Sequence, residues 1–224
     1  MEEIQPTPEL IFRKIAAEFK MSPVSICTLH NPCYPIPNCT SVQQKGVLDF
    51  DEIERQWHQK TKKESTDSVD ALTYTPSKLC MVELKGWKKF LEYQEIVQKE
   101  NTTERDKNIL NKRIDKQNQK YKLQDKLLES ICICEEITGI ENMKKLTSIV
   151  YILVTDVNPY KNAAVALMQQ LNMLANTATD WETVCTTKMA QHFKTETEEI
   201  KDIKTAFVFC NEFDKFLINK IDIQ

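Results

Sequence analysis

The chain alternates between two kinds of hydrophobic rhythm, and the alternation outlines its elements. Leu10, Ile11, Ile15 and Phe19 recur at helical spacing, with Thr7 able to cap and Pro8 suited to a first turn. This predicts a helix over 8–19. Phe50, Ile53 and Trp57 form a similar stripe over 49–60, with Asp49 or Asp51 as cap and acids in the first turn. Two short apolar runs then flank Thr75-Pro76-Ser77-Lys78, which reads as a turn. They predict a β-hairpin with strands over 69–75 and 79–85. In the second strand Met81, Glu83 and Lys85 share one face, while Cys80, Val82 and Leu84 share the other.

After Gly86 the pattern Trp87, Phe90, Leu91, Tyr93, Ile96 and Val97 marks an amphipathic piece, and 100–106 reads as a polar loop. One long helix is expected over 107–137. Between Arg105 and Lys126 it carries eight Lys/Arg against three Asp, a local balance of about +5 (8 − 3). Its second half turns apolar, with Leu127, Leu128, Ile131, Cys132 and Ile137, and Gly139 supplies the stop. The basic first half is therefore expected to project into solvent while the second half covers a sheet. Residues 148–155 are apolar on both faces and read as a central strand. Helices over 163–175 and 182–201, a strand over 204–210 and a short helix over 213–221 complete the order. Asp156 to Pro159 reads as a turn, and further strands are expected around 24–29 or 46–50.

Strands interspersed with helices predict an α/β protein with a mixed sheet flanked by helices. At 224 residues one domain suffices. Composition removes several function classes. With only Gly46, Gly86 and Gly139, no glycine-rich phosphate loop or dinucleotide fingerprint can be built. The net charge of −3 means that any nucleic-acid contact must come from a local basic patch. His30, His58 and His192 have no nucleophile motif beside them, which disfavours an acyl-transfer enzyme. No apolar run approaches a membrane span and no signal core follows the start, so a cytoplasmic protein without a membrane partner is expected.

Eight cysteines are present. Cys80, Cys132, Cys134, Cys185 and Cys210 lie in apolar segments, where a thiol behaves as a small hydrophobe. Cys27, His30, Cys33 and Cys39 fall in a Pro-rich stretch over 21–47, but no Cys-x2-Cys pair occurs. A loop laid over the core is favoured there over a structural zinc site.

The candidate chemistry sits on the hairpin. Asp70 lies one strand from Glu83 and Lys85, and two carboxylates can hold Mg²⁺, a hard ion that takes oxygen ligands. Lys85 can then orient or deprotonate the attacking water and stabilise charge on a phosphate. Asp70 followed by Glu83-Leu84-Lys85 resembles the PD-(D/E)xK nuclease superfamily, although Val69 stands where that family often has Pro. The resemblance spans roughly 49–155. It implies a restriction-endonuclease-like α-β-β-β-α-β core, with 156–224 as additional helices and an edge strand. It also implies Asp70 and Glu83 as ligands of Mg²⁺ or Mn²⁺, and Lys85 as water activator. Glu54 would be an auxiliary acid from the preceding helix, with Glu52 the weaker candidate. Lys122 and Lys126 would be contacts to DNA, and the setting would be bacterial or mobile DNA. The alternative is a catalytically inactive protein that keeps the nuclease-like core and binds a partner or forms a homodimer.

Overall fold

The computed structural model describes residues 6–29, 43–98, 103–156, 181–198, 200 and 202–219. The helix expected over 163–175 lies outside these residues. So do His30, Cys33 and Cys39 of the Cys/His stretch; Cys27 is described and is half-buried.

The elements, in order, are α1 (Pro8–Glu18), β1 (Val24–Ser25), α2 (Ile26–Leu29), β2 (Gly46–Asp49), α3 (Phe50–Thr61), β3 (Ala71–Tyr74) and β4 (Leu79–Lys85). There follow α4 (Lys88–Glu92), a 3-10 turn (Glu95–Gln98), α5 (Glu104–Gln119), α6 (Leu123–Thr138), α7 (Met143–Leu146) and β5 (Ile149–Thr155). The chain described ends with α8 (Trp181–Thr197), β6 (Ile203–Phe209), a 3-10 turn (Cys210–Glu212) and α9 (Phe213–Asn219). The six strands form one mixed sheet in the order β1-β2-β3-β4-β5-β6. The first four run antiparallel to their neighbours, and β4, β5 and β6 are parallel. The protein is thus α/β, with helices on both faces of the sheet.

Hydrophobic alternation explains the two layers. Leu79 and Met81 of β4 and Ile149, Tyr151 and Leu153 of β5 point into the larger core, with side chains from α1, α3, α5, α6 and α8. Cys80, Val82 and Leu84, with Val150, Ile152 and Val154, point the other way. There they meet Ile26, Phe213 and Leu217 from α2 and α9. All seven residues of β5 are buried, as expected for a strand apolar on both faces.

The expected long projecting helix is instead two helices. α5 starts earlier than the polar pattern suggested, at a capping box in which Thr103 and Asp106 satisfy each other's backbone N–H. It ends at Gln119, and Lys122 adopts left-handed backbone at φ 46°. No Gly or Pro marks this break. It is compensated from elsewhere: the Glu196 carboxylate of α8 accepts from the Leu123 N–H at 2.7 Å, capping α6 with negative charge. Tyr121, in the break, turns its ring edge-on to Trp87 at 6.2 Å between centroids. Nor does α5 project; it buries Leu110, Ile114 and Asn118 and packs against α8. Cys132, read as a core thiol, is exposed, whereas Cys80, Cys134 and Cys185 are buried.

Candidate functional site

The site is built where β3 and β4 meet. Their antiparallel register sets Ala71 opposite Val82, so one residue further Asp70 stands opposite Glu83. Asp70 is held by its backbone on two sides. Its carbonyl accepts from Phe50 N–H at the start of α3 (3.0 Å), and Val69 N–H donates to the Ser130 hydroxyl of α6 (2.9 Å). Its side chain reaches across the ladder, where Oδ2 accepts from Leu84 N–H at 2.5 Å.

Four charged side chains converge at this point. Lys85 Nζ pairs with Glu83 Oε1, lies 3.5 Å from Asp70 Oδ2 and donates to the Leu84 carbonyl at 3.1 Å. Those three contacts use all three ammonium hydrogens. Lys126, from the first turn of α6, donates to Glu83 Oε1 at 2.8 Å and lies 3.9 Å from Asp70 Oδ1. Asp70 and Glu83 are buried, Glu83 completely. The two lysine side chains retain 15% and 17% exposure, which marks the side from which solvent reaches the cluster. The Tyr121 ring lies over Lys85, 5.2 Å from Nζ to centroid.

Burial above all, then the neighbouring Asp70 charge, pushes the Glu83 carboxyl up, against the pull of Lys85 and Lys126. Burial pulls Lys85 down, but the Glu83 and Asp70 carboxylates outweigh it and hold its ammonium above the ordinary lysine value. Glu83 Oε2 and the Tyr151 hydroxyl are buried with no hydrogen-bond partner among the described residues. Tyr151 stands on β5, beside Met81 in the parallel ladder. Its hydroxyl is pushed well up, first by burial and then by the Glu83 charge.

Of the expected site residues, Asp70, Glu83, Lys85 and Lys126 come together, with Lys126 on the carboxylates rather than facing outward. Lys122 does not join them. It pairs with Asp67 at 2.9 Å on the surface, with both side chains half exposed. Glu54 belongs to a neighbouring group. Its Oε1 accepts from Ser65 Oγ (2.9 Å) and Thr66 N–H (3.1 Å) and lies 2.7 Å from His58 Nε2. These contacts tie the 62–66 connector to α3, and among the described residues they do not reach Asp70 or Glu83. His58 is buried; Nδ1 lies 3.0 Å from the Lys63 carbonyl. Glu52 pairs with Arg55 at 2.6 Å on the outer face of α3.

Asp156 was read as part of a turn, yet it frames the site. It follows the last residue of β5, and Thr155 is the register partner of Lys85. Its carboxylate accepts from Trp87 N–H (2.7 Å) and Lys88 N–H (3.4 Å), fixing the chain just after Lys85. The signal available in the sequence was an acid directly after the carboxyl end of an apolar strand, where α/β sheets gather polar groups.

Burial pushes the Asp156 carboxyl from its usual 3.8 up to about 6, against the two N–H donors. The folded protein then holds a proton that the unfolded chain releases at lower pH. The stabilising contribution is complete below about pH 4 and is lost as pH rises through about 6. Urea unfolding of the parent and of Asp156→Asn between about pH 4 and pH 7 should show the parent losing up to about 3 kcal/mol relative to the variant. A difference that does not change with pH would contradict this.

Among the described residues no three or more His, Cys, Asp or Glu side chains gather into a metal-binding group. The Asp70–Glu83 carboxylate pair is the candidate that the sequence offered. Two carboxylates suit Mg²⁺, which keeps several waters and seldom takes an all-protein cage. Glu83 Oε2 is left without a hydrogen-bond partner among the described residues, while the Leu84 carbonyl accepts from Lys85. No helix among the described residues is long and apolar enough to cross a membrane.

Comparison with protein-family models, with curated proteins and with solved structures finds no match to this chain.

Proposed function

We propose that this protein is a metal-dependent phosphodiester hydrolase acting on DNA, with a core of the PD-(D/E)xK kind. The observation that carries the reading is the convergence of Asp70, Glu83 and Lys85 on adjoining strands. The strand order supports it: β2, β3 and β4 run antiparallel and β5 returns parallel to β4 after helices. This is in keeping with an α-β-β-β-α-β order, with β1 and α2 inserted ahead of β2 and α3 between β2 and β3 as departures.

Asp70 and Glu83 would hold Mg²⁺ or Mn²⁺, which when bound neutralises phosphate charge and makes water a stronger nucleophile at neutral pH. Asp70 is well suited to the task because its backbone is braced from α3 and α6 and Oδ2 is fixed by Leu84 N–H. Lys85, kept as an ammonium by its two carboxylate neighbours, acts as a fixed positive charge. Its fixed charge stabilises charge developing on the phosphate. Lys122 and the basic face of α5 offer contacts to the phosphate backbone. Glu54 would act from a distance, by holding the connector ahead of Asp70.

The experiment is incubation of purified protein with supercoiled plasmid in Mg²⁺ or Mn²⁺. Nicking or linearisation that EDTA abolishes is expected, together with a rise in melting temperature on adding Mn²⁺. The absence of both effects would leave the reading without support.

A second reading is favoured by one feature, the pairing of Lys126 with both carboxylates. Two carboxylates and two ammonium groups can form a closed, neutral cluster. Such a protein would be an inactive relative of the nuclease type, acting through binding or self-association.

A further inference from the structure

We propose that Lys126 is the built-in counter-cation of the Asp70–Glu83 pair, and that a divalent cation binds by displacing it. This rests on the metal-site reading above and adds a regulator to it. The contacts divide the labour between the two lysines. Lys85 spends its three hydrogens on Glu83 Oε1, Asp70 Oδ2 and the Leu84 carbonyl, all fixed by the sheet. Lys126 arrives from a different element, on the other oxygen of Asp70, and bridges it to Glu83 at 3.9 and 2.8 Å. Among the described residues these two carboxylates are its ammonium's only hydrogen-bond or ion-pair partners. It is thus placed as a cation shared between two carboxylates, which is what a divalent ion does there.

Lys85 lies on β4, whereas Lys126 hangs on a flexible stem from the first turn of α6, with 17% of its side chain exposed. The stem can turn to solvent without disturbing Ser130, one helical turn further on, which holds Val69. Charge decides the outcome. With Lys126 in place the four groups sum to zero. With Lys126 turned out, two carboxylates face one ammonium, and the residual negative charge attracts the metal. The displaced ammonium then lies at the mouth of the site, where it meets a phosphate anion. Binding energy for the metal is reduced by what it takes to dislodge Lys126, so the lysine sets the cation concentration at which the site fills.

The test is calorimetric titration of MnCl2 into the parent, Lys126→Met, Lys126→Arg and Asp70→Asn. Lys126→Met should bind Mn²⁺ at least about tenfold more tightly than the parent, because no ammonium then has to be dislodged from the Asp70 and Glu83 carboxylates. Lys126→Arg, which keeps the charge, should bind no more tightly than the parent. In the parent, NMR of lysine ammonium groups should show the Lys126 signal, identified by its loss in Lys126→Arg, fade as Mg²⁺ is added; this readout does not need Lys126→Met to fold. If the parent binds Mn²⁺ and Lys126→Met binds it equally or more weakly, displacement is wrong while the metal site stands. If neither the parent nor Lys126→Met binds Mn²⁺, or Asp70→Asn binds as the parent does, the metal-site reading falls with it.

Discussion

Asp70→Asn and Lys85→Met should each lower the rate of DNA cleavage in Mg²⁺ by at least about 10²-fold while leaving a folded protein. The two substitutions are chosen for what they keep. Asn at position 70 still presents an oxygen to Leu84 N–H, the 2.5 Å bond that orients the side chain. It removes only the negative charge that a hard cation needs. Met at position 85 keeps an unbranched stem and removes the ammonium that lies over the Tyr121 ring. Far-UV circular dichroism and a cooperative melt verify the fold, and plasmid cleavage is timed in parallel. Cleavage by both variants at the parent's rate would remove Asp70 and Lys85 from the chemistry.

The larger effect on stability should come from Glu83. Glu83→Ala leaves Lys85 and Lys126 facing one another in a pocket from which water is largely excluded, with one carboxylate between them. Breaking a buried pair by removing one partner costs about 3–5 kcal/mol. Urea unfolding should show a fall in midpoint with an unchanged slope. Glu83→Met combined with Lys126→Met should recover much of the loss, since replacing a buried pair by packed apolar groups is often neutral. The double-mutant cycle then reports the coupling of this one pair. A loss below about 1 kcal/mol for Glu83→Ala would mean that the cluster is better solvated than its burial indicates.

Much of the fold was legible because its strands carry their pattern openly. The hairpin turn at Thr75–Lys78 and β4 over Leu79–Lys85 follow from a Pro-containing break between alternating runs. β5 follows from a run apolar on both faces. The central constellation was legible for the same reason, since an Asp at one strand start and Glu-x-Lys on the next are local spacings.

The rest depended on partners distant in sequence. The break at Lys120–Lys122 has no breaker residue; it exists because Glu196 caps α6 and Tyr121 meets Trp87. With the break, Lys126 is carried onto the sheet instead of into solvent, which no periodicity along a single helix would reveal. His58 is buried because Glu54 and the Lys63 carbonyl satisfy its ring, a pairing that an apolar stripe does not report. Asp156 acts through the backbone N–H groups of residues 69 and 68 positions earlier, so only the parallel β4–β5 register discloses it.

The central claim is that Asp70 and Glu83 jointly grip a divalent cation. The most direct measurement is anomalous diffraction from crystals of the protein grown with MnCl2. The account predicts one strong peak within about 2.0–2.5 Å of an oxygen from each carboxylate, with Lys126 turned away from both. Absence of a peak, with the Lys126 ammonium still seated against Glu83, would contradict it.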